Sequence, residues 1–277
     1  MDDGTASSCT ISTSLHHPYI NTSHPMNYYP IIANRPSCTD IQAQIDSYTW
    51  PNTFVTDPAD ADIFLVAGGD GFFLETMRAY RERGLPFFGL HCGTLWFLLN
   101  HITDIDELPV LREDIHTISN NYLEVTATDI HHQKHHHIAI NDCVIGNSLL
   151  DYFQFVVENK QVSEKISGSG LLISTPIWST GYSLNNAVPL LPLSSDIRSI
   201  SWLATRPFHY RTITPSALTI HIAGKSSCVV GCDGYGKIIP DVTKVVITQS
   251  IKTLDIAFCK DHDFQGKRIM MASKKLG

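Results

Sequence analysis

The segment IFLVAGGDGFF, residues 63–73, constrains the fold of this chain more than any other stretch. Its first five residues form an apolar run, which is typical of a strand buried on both faces. The run stops at Gly-Gly-Asp-Gly, and Phe73, Met77 and Tyr80 then recur at helical spacing. A strand that passes through glycines into a helix favours phosphate binding, because the backbone can come close and the first helical N–H groups are free.

Asp70 places a negative charge inside this glycine loop. A carboxylate there would repel a bare phosphate. It fits if Mg²⁺ is shared with the phosphate, or if the carboxylate must contact a hydroxyl that attacks phosphorus. The alternative is a tight turn in which Asp70 is only a helix N-cap. The segment matches neither the P-loop pattern nor the G-x-G-x-x-G dinucleotide fingerprint.

The remaining patterns predict an α/β region followed by an all-β region. Residues 28–34 and 85–90 are predicted strands, and a helix with N-cap candidate Ser37 and buried Ile41 and Ile45 lies between them. Strands that alternate with helices indicate a parallel, layered sheet. Beyond residue 120, many short alternating runs separated by turn residues predict strands, with one helix at 182–187.

We therefore predict a flexible tail over residues 1–26, which are rich in Ser, Thr, His and Pro. An α/β domain spans residues 27–119 and an all-β domain spans residues 120–260. Residues 261–277 can pack back on the first domain.

Charge and composition argue against several classes of partner. The formal net charge is -7, from 20 basic and 27 acidic residues, so a nucleic acid would be repelled on average. No sufficiently long apolar segment predicts a membrane span, and no signal peptide is evident. The seven cysteines include no C-x-x-C pair, which favours reduced thiols in the cytoplasm. The histidine-rich run at 131–137 is better interpreted as a hairpin tip than as a metal site, because no carboxylate or thiol supports it nearby.

Four motifs together resemble the NAD kinase family. After GGDG come GLHCGTLWFLLN, IAINDCVIGN and GSGLLISTPIWSTGYSLNN, in the family's order and spacing from about residue 63 to 234. The most specific part is STP-x-x-ST-x-YSL. The resemblance implies a Rossmann-like N-terminal domain, a C-terminal β-sandwich and a site between them. It also implies transfer of the γ-phosphoryl group of ATP to the 2′-hydroxyl of the adenosine ribose of NAD, a divalent metal (Mg²⁺), and a homodimer or homotetramer.

The resemblance also implies roles for individual residues. Asp70 matches the general base, and its neighbours Gly69 and Gly71 match the glycines that admit phosphates. Asn141 and Asp142 match an Asn-Glu pair that holds ribose or adenine. The remaining matched positions line the nucleotide pocket: Leu74, Phe97, Thr180, Gly181, Tyr182 and Asn185.

The chain also departs from the family pattern. Bulky or altered side chains stand at six positions of the motifs: Phe72, Trp96, Asp142, Ser169, Ile177 and Trp178. Two interpretations stay open for the large ones, namely core packing and altered walls of the nucleotide pocket.

Two other functions remain as alternatives. Diacylglycerol- and sphingosine-type lipid kinases also carry GGDG ahead of a β-sandwich, although the Asn-Asp pair and the STPIWSTGYSL block argue against them. A nucleotide-binding protein without catalysis would explain the departures. The sequence does not decide between ATP and polyphosphate as donor, or between NAD and NADH as acceptor.

Overall fold

The computed structural model describes residues 24–48, 53–93, 96–102, 104–147, 153–159, 163–177, 179–186, 188–204, 211–214, 217–224, 227–234 and 238–276. Predictions for residues 1–23 and for Trp178 lie outside these ranges. The helices are α1 (Thr39–Ser47), α2 (Asp70–Tyr80), α3 (Tyr182–Asn185) and α4 (Phe264–Leu276). The strands are β1 (Asn27–Ile32), β2 (Thr53–Phe54), β3 (Ile63–Gly68), β4 (Phe87–His91), β5 (Ile115–Asp129), β6 (Lys134–Ala139), β7 (Asp142–Gly146), β8 (Phe153–Glu158), β9 (Ser163–Gly168), β10 (Gly170–Ser174), β11 (Arg198–Leu203), β12 (Arg211–Thr214), β13 (Leu218–Ala223), β14 (Val229–Cys232) and β15 (Val242–Cys259).

The N-terminal part is the predicted α/β layer. Its strands are parallel and lie in the order β2-β1-β3-β4. Every residue of β3 is buried, as its continuous apolar run requires. α2 follows at once and ends in a short 3₁₀ turn, after which Gly84 takes φ +69°, a conformation that favours glycine. The glycine loop therefore lies at the carboxyl end of β3, as predicted.

Two long strands join this layer to the rest of the chain. β15 pairs parallel with β4 at Ile256 and Ala257, and antiparallel with β5 along most of its length. β15 is one continuous strand of 18 residues, with a register shift between Gln249 and Thr253. The predicted boundary at residue 120 falls inside β5. The large sheet therefore runs through both parts, in the order β2-β1-β3-β4-β15-β13-β8-β9, with β5 and β6 branching from β15.

A second, antiparallel sheet packs against the large one. Its described strands lie in the order β12-β11-β10-β7-β14. Ile145 and Val230 of this sheet share one apolar core with Val125 and Val245 of the large sheet. This face-to-face packing is the predicted sandwich, and the predicted fold class of an α/β part followed by a β-rich part is confirmed.

Several local predictions need correction. Ser37 is not the N-cap of α1, because it lies within a 3₁₀ turn, Pro36–Cys38. Cys38 holds the N-cap position, and the Cys38 side chain makes no capping hydrogen bond. Met26, assigned to the tail, is only 2% exposed, and its N–H donates to the Val110 carbonyl at 2.9 Å. It therefore belongs to the core, in the same apolar cluster as Tyr28 and Ile41 of α1.

The histidine-rich run forms a hairpin, although not entirely at the tip. His132 lies in the turn with φ +64°, whereas β6 begins at Lys134 and includes the last three histidines. His135 bonds the Asp129 carboxylate at 2.9 Å. This contact, with the N–H groups that Asp129 accepts, fixes the turn. No helix within the described ranges is long and apolar enough to cross a membrane.

Candidate active site

Asp70 is the first residue of α2, and Gly69 is the residue that caps it. The two carboxylate oxygens of Asp70 accept the backbone N–H groups of Phe97 at 2.9 Å and Leu98 at 3.0 Å. The carboxylate is thus directed toward the loop after β4, and Gly69 holds the N-cap position of α2. The interpretation of Asp70 as a simple N-cap is therefore wrong.

The glycine beside Asp70 faces open space. A Cβ atom added at Gly69 would meet nothing within 4 Å, and its φ of -109° suits any residue. Gly71, one position beyond Asp70, is exposed. The fold itself does not require a glycine at Gly69. The lack of a side chain leaves the helix N-terminus accessible, which is what an approaching anion needs.

Apolar packing brings the distant motifs together around this loop. Leu74 of α2 shares a buried cluster with Ile140 and Ile177, which belong to the third and fourth motifs. Phe97 packs against Leu184 of α3. Ile177, one of the departures from the family pattern, is completely buried in this cluster.

The Asn141–Asp142 pair stands at the start of β7, where Asp233 holds its backbone. Asp233 accepts the N–H groups of Asn141 at 2.7 Å and Asp142 at 3.2 Å, and it forms an ion pair with Arg78 of α2. Asp233 takes φ +58°, within the turn after β14. Sequence reasoning missed both Asp233 and Arg78. The signal was the Cys-Asp-Gly triplet at 232–234, whose residues suit a turn with positive φ.

The side chains of Asn141 and Asp142 are buried, and hydrogen bonds or opposite charges do not fully compensate for their lost hydration. Burial, together with the nearby charge of Asp233, raises the pKa of the Asp142 carboxyl to about 7. The Asn141 side-chain oxygen is buried and has no hydrogen-bond partner among the described residues. A buried acceptor without a donor destabilises the fold. A ligand hydroxyl or amide could supply the missing donor.

The STP block connects to this pair through its backbone. The Thr175 N–H donates to the Asn141 carbonyl at 2.8 Å, and the Thr175 hydroxyl donates to Ile140 at 2.6 Å. Thr180 and Gly181 follow in the buried turn before α3. Tyr182 and Asn185, on α3, are exposed. The structure thus joins Asn141 to the STP block, and leaves the two α3 side chains facing solvent.

The other departures from the motif pattern are only partly buried or have structural partners. Phe72 and Trp96 are half-buried at the edge of the core around α2. Trp96 stacks on His91, with ring centroids 3.7 Å apart and planes 2° from parallel. Ser169 is buried, and its hydroxyl donates to the Leu203 carbonyl at 3.1 Å.

Comparisons with known proteins point to one family. No protein-family model matches the chain. A curated NAD kinase of Hyphomonas neptunium is 27% identical over 210 residues, 73% of this chain and 82% of that protein. A curated NAD kinase of Rickettsia bellii is 27% identical over 220 residues, 77% of this chain and 86% of that protein.

The chain resembles the NAD kinases over most of its length. The resemblance predicted from the four motifs is therefore confirmed. Among solved structures, a yeast NADH kinase complexed with NADH superposes with a TM-score of 0.70 at 16% identity, over 89% of this chain and 87% of its own. An NAD kinase from Archaeoglobus fulgidus in complex with ATP superposes with a TM-score of 0.67 at 15% sequence identity. The match covers 90% of this chain and 99% of that structure's chain. At these identities the two structures show that the fold is shared.

Proposed function

We propose that this protein is an NAD kinase that phosphorylates the 2′-hydroxyl of the adenosine ribose of NAD with ATP, giving NADP. The observation that carries the proposal is the placement of Asp70. Its carboxylate lies at the N-terminus of a helix and is oriented by the N–H groups of Phe97 and Leu98. The similarity to curated NAD kinases supports the same reaction.

In the proposed reaction Asp70 accepts the proton of the ribose 2′-hydroxyl. The new oxygen–phosphorus bond forms as the bond from the γ-phosphorus to the departing ADP breaks. Each carboxylate oxygen can accept more than one hydrogen bond, so an oxygen that accepts a backbone N–H can also accept the hydroxyl. They also favour the ionised carboxylate, as does the helix N-terminus. A proton acceptor must be ionised before the reaction.

We propose that Asn141 and Asp142 bind the sugar or base of NAD. The unpartnered oxygen of Asn141 and the high pKa of Asp142 support this role, because both groups have unmet polar capacity beside the STP block. Leu74, Phe97, Thr180 and Gly181 would form the buried wall of the pocket. Tyr182 and Asn185 would then contact the exposed part of the dinucleotide.

The expected divalent cation fits binding together with ATP. Mg²⁺ usually keeps several waters and takes one or two carboxylates with substrate phosphates. Asp70 offers one such carboxylate. Within the described ranges, no group of three or more His, Cys, Asp or Glu side chains could hold a metal alone. When bound, Mg²⁺ would neutralise negative charge on the transferring phosphoryl group.

The proposal includes a cytoplasmic location and a homodimer or homotetramer. The six cysteines of the described ranges are all free thiols, which supports a reducing compartment. Sedimentation analysis of the purified chain would give the oligomeric order. A monomer at micromolar concentration would contradict that part of the proposal.

The test is incubation of the purified protein with ATP, Mg²⁺ and NAD, followed by detection of NADP with an NADP-specific dehydrogenase. Parallel reactions with NADH, polyphosphate, diacylglycerol and sphingosine identify the preferred acceptor and donor. Formation of NADP supports the proposal. Phosphorylation of a lipid alone would establish the lipid kinase alternative. Binding of NAD without any product would establish a non-catalytic nucleotide-binding protein.

A further inference from the structure

The last helix, α4, places an arginine inside the protein. Arg268 is 1% exposed, and it is the largest fully buried side chain of the described ranges. Burial lowers the pKa of its guanidinium to about 10, so the group keeps its charge at neutral pH. Removing such a charge from water is unfavourable unless good hydrogen bonds compensate it. The hydrogen-bond partners of Arg268 therefore indicate which part of the structure its charge stabilises.

Those partners all belong to the segment that follows β10. The Arg268 guanidinium donates to the carbonyl oxygens of Pro176 and Leu191, both at 2.6 Å, and to the Ser179 hydroxyl oxygen at 3.1 Å. Ser179 also accepts the Leu191 N–H at 3.0 Å. A planar guanidinium can donate in several fixed directions at once, which a lysine ammonium does not reproduce. One side chain thus hydrogen-bonds to both Pro176 and Leu191, which are 15 positions apart in sequence.

The rest of α4 contacts the other parts of the candidate site. Met271 packs in one apolar cluster with Phe97, whose N–H binds Asp70, and with Leu184 of α3. The Lys267 ammonium lies 4.8 Å from the centre of the Trp96 ring. The helix therefore spans the loop after β4 and the turn before α3.

We propose that Arg268 is a positioning residue for the dinucleotide site, which holds Pro176 and Ser179, and with them the adjoining Thr180 and Gly181, in the conformation that binds NAD. The inference rests on the proposed function. Thr180 and Gly181 follow directly on Ser179, whose hydroxyl oxygen accepts from Arg268. Without the guanidinium, the Pro176 and Leu191 carbonyls lose their shared donor. The Ser179 hydroxyl, which donates to the Pro176 carbonyl at 3.1 Å and accepts the Leu191 N–H at 3.0 Å, is then left to join these two backbone segments without a charged donor.

The negative charge of Asp70 favours the charged form of Arg268. The interaction is mutual, so the arginine also contributes positive potential at the candidate base. Arg268 thus acts on the site through the turn and through charge, and it touches neither substrate directly in this proposal.

The test compares two variants. Arg268→Met keeps a long side chain and removes every hydrogen-bond donor. Arg268→Lys keeps the positive charge and loses the planar arrangement of guanidinium donors. Lys274→Met is the matched control, because Lys274 is exposed on the same helix. For each variant, the NAD dissociation constant is measured by calorimetry without ATP, kcat and KM are measured for both substrates, and unfolding is followed by circular dichroism.

We expect Arg268→Met to weaken NAD binding at least about tenfold, or roughly 1.4 kcal/mol, with the KM for ATP changed less than about threefold. Arg268→Lys should fall between Arg268→Met and the wild type, and Lys274→Met should match the wild type. A purely structural role predicts a lower unfolding midpoint and normal NAD binding by the folded protein. That result would overturn the inference.

If Arg268→Met does not fold, the affinity of Arg268→Lys for NAD tests the inference instead. A weakening of NAD binding by about threefold or more supports the inference, and unchanged binding overturns it. The wild-type protein separates this inference from the proposed function. A wild type that neither binds NAD nor forms NADP contradicts the proposed function itself, whereas an active wild type with unaffected Arg268 variants contradicts only the role of Arg268.

Discussion

The carboxylate of Asp233 accepts the backbone N–H of Asn141 at 2.7 Å. Its other oxygen accepts the Ile140 N–H at 3.0 Å and pairs with Arg78. Arg78 lies on α2, the helix that begins at Asp70. One buried carboxylate therefore connects the helix of the candidate base to the backbone of the pair that we propose binds NAD.

Replacing Asp233 by alanine should destabilise the protein strongly. The change removes several backbone hydrogen bonds and leaves the partly buried Arg78 without its counter-ion. Breaking a buried ion pair on one side typically lowers the free energy of unfolding by about 3 kcal/mol. Urea denaturation measures this value. Lys252→Met, which breaks the exposed pair with Glu82, is the control and should leave the midpoint unchanged. A loss below about 1 kcal/mol in Asp233→Ala would mean that the loop re-forms its hydrogen bonds with water.

The raised pKa of Asp142 predicts how stability varies with pH. The value is about 7 in the folded protein and 3.8 for an unperturbed aspartate. Between these values the folded protein keeps a proton that the unfolded chain has released. The contribution of Asp142 to the free energy of unfolding therefore falls as pH rises from about 4 to about 7, and stays constant above it. The full shift corresponds to roughly 4 kcal/mol, as an upper bound.

Asp142→Asn should remove this dependence, because the amide does not titrate and resembles the neutral acid in shape. The variant should therefore be more stable than the wild type at pH 8, and similar to it at pH 4.5. Chemical denaturation at both pH values tests the prediction, with Asp261→Asn, an exposed position, as the control. Equal stability of Asp142→Asn and the wild type at pH 8 would show that Asp142 ionises without penalty.

Two N-terminal truncations should differ in stability, because Met26 is buried. Removing residues 1–26 deletes a core side chain and the hydrogen bond to the Val110 carbonyl, whereas removing residues 1–23 keeps both. We expect the longer truncation to be less stable by about 2 to 4 kcal/mol, the usual range for loss of a buried methionine side chain. Thermal unfolding of the two proteins measures the difference. Equal midpoints would mean that Met26 contributes little to the core.

Local periodicity was sufficient to predict β3, α2 and the change from an α/β to a β-rich region. Each of these features depends on residues close together in sequence. The pairing of β15 with both β4 and β5 was not predicted, because it joins residues more than 100 positions apart and leaves no local signal. The polar residues near 250 lie inside this single strand, at a register shift that the local sequence does not indicate.

The candidate site was predicted where a motif named the residue, and was missed where only the tertiary fold creates the role. Asp70 and Asn141 stand within recognisable motifs. Arg268 sits among ordinary helix-forming residues of α4, and only its burial against the STP block distinguishes it. Asp233 had a turn-like sequence, but nothing local linked it to Arg78 or Asn141.

Asp70→Asn gives the most direct test of the candidate base. Asparagine keeps the size of the side chain but provides one acceptor oxygen where aspartate provides two. One of the N–H groups of Phe97 and Leu98 therefore loses its acceptor, and the amide nitrogen faces a donor. We expect a modest loss of stability, about 1 to 2 kcal/mol, measured by urea denaturation. Activity is therefore compared under conditions where the variant has the circular dichroism spectrum of the wild type.

Under those conditions kcat should fall about 10²- to 10⁴-fold, the range for removal of a positioned base. NAD binding should change less than about tenfold, because the carboxylate acts on a proton and the remaining pocket is intact. Loss of NAD binding together with kcat would instead indicate a collapsed loop. Leu98→Ala is the matched control, since it keeps the backbone N–H that Asp70 accepts while altering the neighbouring packing. Leu98→Ala should lower the free energy of unfolding while kcat changes little. If Asp70→Asn keeps more than about a tenth of wild-type turnover, Asp70 positions the loop after β4 and does not act as the base.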